Sequence, residues 1–322
     1  MDQAVHPVSS SARVSLGVLA AFAGIYIIWG TTYLAIAFAV HAMPAFISGV
    51  ARFGLAGLLM YVWLRARNPR PFAGVNVTMM ALAGVMLSGM GNGFVLWAQQ
   101  GGVPSGIAAL IVAAVPVIVL IMDWAFFSKR APTKQALFGI AVAVAGVVTI
   151  VMHTRTLSGS ASPLYILAMF VATTGWSLGT LVQKRSATPA TVLSFTCGQM
   201  LFGAAFQLLM SIVTGEWARF DPSAISGAGV VAILYLVVFG SIIGLNCYLW
   251  LLTRVAAPKV ATYALVNPVV ALILGSIVLG ERVTPLAIVA AALVLVGVAL
   301  IVFQDLPLVR ALTARAAGRS RR

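Results

Sequence analysis

The sequence predicts an all-α integral membrane protein in which ten membrane-spanning helices form two inverted five-helix repeats. Three observations lead to this prediction: a series of long apolar runs, basic residues that favour one side of them, and landmark residues that recur in the second half. Of the 322 residues, 61% are hydrophobic and 8% are charged. A soluble domain carries about a quarter charged residues, so the composition indicates a membrane protein.

The ten apolar runs are each close to the length that crosses a hydrocarbon core, which is about 30 Å thick and needs about 20 helical residues. They lie at 16–38, 46–64, 75–97, 105–127, 135–152, 163–182, 190–213, 229–252, 260–279 and 286–303. The connections are short, so we expect no domain between the spans. The first run is too long for a signal-peptide core and no cleavage site follows, so we expect the first helix to be retained.

Lysine and arginine predict the orientation of the spans. Most of the 20 basic residues fall on one side, and only Arg155, Arg219 and Arg282 fall on the other, with Arg52 inside a span. Basic residues concentrate on the cytoplasmic side of inner-membrane proteins, so both termini are predicted to be cytoplasmic. We expect the N-terminal segment 1–15 and the basic tail 304–322 to lie there, the tail touching anionic lipid.

Landmark residues recur between the two halves at nearly constant offsets of 147 to 153 residues. The corresponding pairs are Trp29 and Trp176, Trp97 and Trp250, Pro116 and Pro268, and Arg130 and Arg282. A copy with five spans has an odd number of membrane crossings, so the second copy must run inverted relative to the first. The first repeat is therefore predicted at 16–152 and the second at 163–303.

Two prolines lie in the middle of equivalent spans. Pro116 and Pro268 each remove a backbone hydrogen bond and are expected to bend their helices. One kink is compatible with a purely structural role. Two kinks at equivalent places in inverted repeats point instead to the bilayer midplane, where carriers of this architecture place their substrate site.

The repeats resemble the EamA domain of the drug/metabolite transporter superfamily. The resemblance rests on Trp29-Gly30 in span 1, Arg52 in span 2, the proline-centred spans 4 and 9, and Leu279-Gly280-Glu281-Arg282 at the end of span 9. The stretches IYIIWGTTYLAI, GNGFVLWAQQGGVPSGIAAL and FGSIIGLNCYLW are similar to YedA-like exporters within it. The resemblance implies a carrier of the bacterial inner membrane. Members are associated with amino acids, sugars, nucleotide derivatives and toxic organic compounds.

Two positions depart from the family pattern. The first repeat ends in Phe127-Ser128-Lys129-Arg130, where the family usually has a glycine-glutamate-arginine end. Any role of that glutamate is therefore expected only at Glu281. YedA-like sequences often carry a carboxylate at the position of Gln99, and the amide argues against a proton-coupling role there.

Three charged residues lie within or at the edge of the spans, where charge is costly and commonly functional. Arg52, in the outer half of span 2, is expected either to attract anionic or zwitterionic substrates or to bond to backbone carbonyls or Glu281. Asp123 lies about one turn from the cytoplasmic end of span 4. The alternative to a functional role for Asp123 is screening by Lys129 and Arg130.

Trp29 and Trp176 lie deep inside their spans, away from the interfaces where membrane proteins usually place tryptophan. They are either ordinary core aromatics or part of a cavity wall with few polar groups, which suits small ligands. The candidate cavity residues are Trp29, Thr32, Tyr33, Asn92, Gln99, Trp176, Asn246, Tyr263 and Asn267. Asn267 is the strongest candidate, because the following Pro268 frees a backbone carbonyl nearby.

Several classes of function are not expected. The sequence has no G-x-x-x-x-G-K-[ST] phosphate loop, and His6, His41 and His153 have no partners at metal-ligand spacing, so we expect neither ATP hydrolysis nor a metal or cofactor. The basic residues lie between apolar runs, so nucleic-acid binding is not expected either.

The sequence predicts a secondary transporter in a bacterial-type inner membrane that moves small metabolites or toxic organic compounds by alternating access, with export as the expected direction. An integral-membrane enzyme is the main alternative, but the sequence offers no nucleophile, acid and base at one depth. A non-transporting sensor or assembly factor is the other alternative. The expected partners are a small-molecule substrate and the lipid bilayer, and the sequence makes no prediction about the oligomeric state.

Overall fold

The computed structural model describes residues 16–129, 131–158, 162–255 and 260–303, and these ranges contain helices and no strand. The long helical segments are α1 Leu16–Ala42, α2 Ala45–Arg67, α3 Val77–Gln100, α4 Ser105–Phe126, α5 Lys134–Ser158, α6 Pro163–Ser186, α7 Val192–Val213, α8 Gly227–Leu252, α9 Tyr263–Leu279 and α10 Pro285–Val302. The predicted N-terminal segment 1–15, Arg130 and the tail 304–322 lie outside the described residues.

Eight of these helices, all except α5 and α9, are long and apolar enough to cross a membrane. The apolar part of α5 is Lys134–Thr149, and α9 has 17 residues, slightly short of a full crossing. The multi-pass helical architecture predicted from the sequence is therefore confirmed. The count of ten spans stays a prediction.

Three π-helical segments occur among the described residues: Asp123–Ser128 at the end of α4, and two that lie at equivalent places in α3 and α8. The π-helical segment of α3 is Gly84–Gly91 and that of α8 is Leu236–Ile243. Their starts, residues 84 and 236, are 152 residues apart, as are Pro116 and Pro268. Such turns are rare and frequently mark functional sites, so their recurrence supports the proposed repeat independently of sequence similarity.

The two proline helices are both irregular, although not in the same way. α4 is interrupted by a turn at Ala113 and Ala114, and Pro116 sits in the first turn of the resumed helix, where a missing N–H costs nothing. Pro268 lies inside α9, which begins at Tyr263 directly after a turn. The bend expected at Pro116 is thus a break just before the proline, while Pro268 occupies the helix interior as expected.

Helices of each half pack mainly against helices of the other half. α1 packs against α8 and α9, and α6 packs in the equivalent way against α3 and α4. We call α1, α8 and α9 trio A and α3, α4 and α6 trio B; each trio contains helices of both halves. The remaining helices pair with their counterparts, α2 with α7 and α5 with α10, while α4 and α9 connect the two trios. This arrangement is a pseudo-two-fold symmetry.

Glycine allows the closest of these approaches. A Cβ at Gly297 on α10 would lie 2.6 Å from the Gly139 carbonyl oxygen and 2.7 Å from Ala143 Cβ on α5. Because helix backbone cannot move aside cheaply, we expect Gly297→Ala to lower the free energy of unfolding by about 1–3 kcal/mol. Thermal unfolding in detergent measures this as a melting temperature several degrees lower.

Gly227→Ala is the matched control, because a Cβ at Gly227 meets nothing within 4 Å. It should leave the melting temperature unchanged or slightly raised, since alanine is the better helix former. Equal melting temperatures for the two variants would contradict the tight α5–α10 contact.

Candidate functional site

A central cavity lies between trios A and B. Its wall is built by side chains of α1, α2, α3, α4, α6, α8 and α9, so both halves of the chain contribute. The cavity volume, counted as the space that the centres of water molecules can occupy, is about 50 Å³. That is room for a few waters.

Most of the residues predicted to form a cavity line this one. The lining set includes Trp29, Thr32, Tyr33, Asn92, Trp176, Tyr263 and Asn267. The structure places the other two candidates elsewhere. Gln99 is buried between helices, and Asn246 donates from Nδ2 to the Ile242 carbonyl of its own helix at 2.6 Å.

Arg52 lies on the wall of the central cavity, and its side chain is 3% exposed. Its Nε donates to Ser241 Oγ on α8 at 2.9 Å, and its guanidinium carbon lies 4.6 Å from the centre of the Phe53 ring. Among the described residues, Nη1 has no hydrogen-bond partner. The bond to Glu281 that the sequence allowed is not formed, because Glu281 binds backbone amides on α4.

Three aromatic rings of the cavity wall pack together with a fourth ring, that of Tyr248. We call Trp29, Trp176, Tyr248 and Tyr263 the aromatic cluster. Their ring centres lie between 5.1 and 6.2 Å apart in the contacting pairs, mostly in edge-on or tilted arrangements that aromatic rings favour. Trp29 Nε1 donates to the Gly240 carbonyl in the π-helical turn of α8 at 3.2 Å.

Tyr248 is the member of the cluster that sequence reasoning missed. It lies one helical turn after Gly244, where an added Cβ would collide with the Trp29 indole. Residues four apart share a helix face, so Gly244 and Tyr248 both point towards Trp29. The glycine one turn before an aromatic residue was the available signal.

A second cavity, which we call the inner vestibule, lies beyond the aromatic cluster. Its volume, counted in the same way, is about 160 Å³. Tyr263 lines both cavities, and Tyr248 lines the vestibule, so the cluster separates the two spaces. Asp123 and Lys184, close to span ends that the charge pattern predicts to be cytoplasmic, also line the vestibule.

Asp123 pairs with a different cation from the one expected. Its Oδ1 lies 2.8 Å from Arg185 Nη2, which links the ends of α4 and α6 within trio B. Lys129 instead donates to the Ala125 carbonyl of its own helix. Arg130, the other cation expected to screen Asp123, lies outside the described residues, so screening of Asp123 by nearby cations stays a prediction. Both partners of the ion pair are partly exposed, so the pair contributes at most about 1 kcal/mol to stability.

The opposite ends of α4 and α9 are in direct contact. The Glu281 carboxylate, just beyond α9, accepts from the Ser105 amide at 2.7 Å and from the Gly106 amide at 3.2 Å. A carboxylate at a helix N-terminus satisfies free amides and interacts favourably with the helix dipole. A Cβ at Gly275 would lie 2.7 Å from Ser105 Oγ, so the two helices approach closely there.

A second carboxylate caps a helix on the same predicted outer side. Glu216, between α7 and α8, is 2% exposed and accepts from the Phe46 and Ile47 amides at the start of α2, at 3.1 and 2.9 Å. Burial raises the pKa of Glu216 above its ordinary value, and the two backbone bonds oppose that rise. Both carboxylates belong to the second half and cap helices of the first, so they hold the halves together on this side.

α4 and α9 thus touch at one pair of ends and are separated by the inner vestibule at the other. The three charged candidates lie in different places: Arg52 on the central cavity, Asp123 on the vestibule and Glu281 at the contact of α4 with α9. Among the described residues, the wall of the central cavity carries no carboxylate, histidine, cysteine or lysine. The described residues hold no cluster of metal ligands.

Comparison with known proteins gives concordant matches along nearly the whole chain. The family described as "EamA-like transporter family" matches residues 15–152 and 163–303. The inner membrane transporter YedA of Escherichia coli (strain K12) is 32% identical over 90% of this chain and 92% of its own length. A protein of Salmonella typhimurium named "Probable amino-acid metabolite efflux pump" is 26% identical over 87% of this chain and 92% of its own. One solved structure, at 21% identity, shares the fold with a TM-score of 0.59, covering 89% of this chain and 97% of that chain.

Proposed function

Because the chain belongs to the EamA-like transporter family, we propose that it exports a small organic molecule across the inner membrane by alternating access. The family makes it a membrane transporter of a bacterial-type inner membrane. The proposal adds a mechanism, a direction and a site. In it, all ten helices cross the membrane, both termini are cytoplasmic, and residues 16–152 and 163–303 are the inverted repeats.

One observation supports the mechanism: along α4 and α9, a cavity built by both halves lies between the contact of these helices at one pair of ends and the inner vestibule at the other. In an inverted repeat, the alternative conformation arises when the two halves exchange their conformations. α4 and α9 would then part at their outer ends and close at their inner ends. The breaks and prolines at residues 113–116 and 261–268 are natural hinges for that motion.

Export is the proposed direction, and the inner vestibule faces the side from which an exporter takes up its substrate. Asp123 and Lys184 lie on it, close to span ends that the basic residues predict to be cytoplasmic. Substrate would enter from the cytoplasm, pass the aromatic cluster and leave on the outer side. One relative is named as an efflux pump, which supports export of small metabolites or toxic organic compounds, amino-acid-like or drug-like.

Blocking the central cavity tests the site. Val112 lines the cavity, so Val112→Phe should obstruct it and reduce transport by roughly tenfold or more, as a steric block of a binding site does. The measurement is uptake or counterflow of a broad panel of labelled amino acids, organic acids and organic cations by purified protein in liposomes.

Val296→Phe is the matched control, because Val296 on α10 is 54% exposed on the outside of the described helices. The same change in volume there should leave transport unaffected. Equal transport rates for the two variants would contradict a pathway through the central cavity. Folded wild-type protein that moves no compound of the panel would overturn the proposed function itself.

A further inference from the structure

Arg52 places a buried positive charge beside the central cavity. The residue is 3% exposed, and within the part of the chain that the structure describes it forms no ion pair. Its neighbours are neutral groups: it donates to Ser241 Oγ, lies over the face of Phe53 and is close to the Tyr33 hydroxyl. Burying an uncompensated charge within a membrane protein is costly, and such residues commonly face a substrate pathway. A partner with negative charge would offset that cost.

The pseudo-symmetry shows that the fold itself does not require this charge. Gln199 on α7 follows Arg52 by 147 residues, the offset that relates Trp29 to Trp176. Gln199 Nε2 donates to Ser88 Oγ on α3 at 3.4 Å, just as Arg52 Nε donates to Ser241 on α8. A neutral amide therefore fills the equivalent packing position. Of the two equivalent positions, only residue 52 carries a charged side chain.

One further polar atom on the cavity wall, the acceptor Asn267 Oδ1, has no hydrogen-bond partner among the described residues. The donor Trp176 Nε1 faces the hydroxyl groups of Tyr248 and Tyr263 within the aromatic cluster. Buried polar atoms of proteins are nearly always paired, so an unpaired acceptor at a cavity is available to water or to a ligand there. The cavity wall thus offers a cation, one acceptor and the faces of aromatic rings.

We propose that the substrate is a compact organic carboxylate with an apolar or aromatic body and one hydrogen-bond donor, as in hydrophobic amino acids and 2-hydroxy acids, and that organic cations are excluded. This inference rests on the proposed transport function. Arg52 binds the carboxylate, and Asn267 Oδ1 accepts from the amino or hydroxyl group. The rings of Trp29 and Trp176 contact the apolar body, an arrangement in which few polar groups fix orientation within apolar walls.

Three probes that share a phenyl-ethyl body test the charge requirement. L-phenylalanine carries a carboxylate and an ammonium group, 3-phenyllactate carries a carboxylate and a hydroxyl group, and phenethyltrimethylammonium carries a fixed positive charge alone. We expect counterflow of both carboxylates by the purified full chain in liposomes to exceed that of the cation by at least about tenfold, since an unpaired buried charge disfavours a like charge.

Arg52→Gln reproduces the residue found at the equivalent position, so it should fold. It should lose at least about tenfold in transport of the two carboxylates, because a charge-assisted hydrogen bond is replaced by a neutral one. Arg52→Lys should retain part of the activity. Gln199→Asn is the matched control in the other half and should keep the preference for carboxylates.

Several outcomes would overturn the inference while leaving transport established. These are equal counterflow of the cation and the carboxylates by the wild type, transport of other metabolites but of neither carboxylate, or folded Arg52→Gln with undiminished carboxylate transport. If Arg52→Gln does not fold, the selectivity of the wild type among the three probes decides. Absence of transport for the whole broad panel would instead count against the proposed function.

Discussion

Replacing Glu281 by alanine is expected to open the outer side of the protein. The carboxylate accepts from the Ser105 and Gly106 amides and joins the outer ends of α9 and α4. Its removal leaves two amide donors unpaired in the outer-closed state, at about 1–3 kcal/mol for each fully buried donor. A shift of about 1.4 kcal/mol changes a two-state population about tenfold, so the outward-open state should gain at least that factor.

The measurement is the labelling of a cysteine in the central cavity from outside. Asn267→Cys provides the target, in a background where Cys197 and Cys247 are replaced by alanine. A membrane-impermeant thiol reagent added on the outer side should label this cysteine at least about tenfold faster when Glu281 is alanine. In the protein that retains Asn267, Glu281→Ala should lower transport because the outer-closed state that receives substrate from inside is depleted.

Asp221 supplies the control. It is an exposed carboxylate on the same predicted side, and its side chain bonds only locally to Ser223 among the described contacts. Those bonds lower the pKa of Asp221, so it is charged at neutral pH. Asp221→Ala should leave the labelling rate unchanged. Identical labelling rates in all three proteins would contradict the role given to Glu281 in outer closure.

The sequence predicts the helices well because the bilayer dictates their length. The ends of α2, α6 and α8 lie within a few residues of the apolar runs that predicted them. The repeat was equally accessible, because Trp29 with Trp176 and Pro116 with Pro268 are sparse landmarks in an otherwise repetitive composition. Each of these features depends on local composition alone.

The pairing of side chains between helices could not be predicted in the same way. A helix that meets lipid on one face and protein on the other is apolar all round, so its pattern does not identify the buried face. Arg52 with Ser241 and Asp123 with Arg185 join residues that are 189 and 62 positions apart. Gln99 and Asn246 were assigned to the cavity for the same reason. Their depth along the span can be estimated from the sequence, but the direction in which their side chains point cannot.

The two equivalent π-helical turns could not be predicted from the sequence either. They fall on glycine-containing apolar stretches, Gly84–Gly91 and Leu236–Ile243, that resemble ordinary helix. Their consequence is local, because the Gly240 carbonyl in the second of them accepts from Trp29. An altered turn thus positions the aromatic cluster.

Locking α4 to α9 at their outer ends tests alternating access most directly. A Cβ at Gly275 would lie 2.7 Å from Ser105 Oγ, so Ser105→Cys with Gly275→Cys brings two sulfurs within reach of a disulfide once the flexible Glu281 side chain moves aside. The native Cys197 and Cys247 are again replaced by alanine, and the reduced double variant is its own control.

The measurement is counterflow in liposomes by the same protein before and after oxidation, with the extent of cross-linking determined by thiol titration. The proposed mechanism predicts that transport falls to background in proportion to cross-linking and returns when the disulfide is reduced, because α4 and α9 must part on the outer side in every cycle. Fully cross-linked protein that transports at the rate of the reduced protein would contradict alternating access through the central cavity.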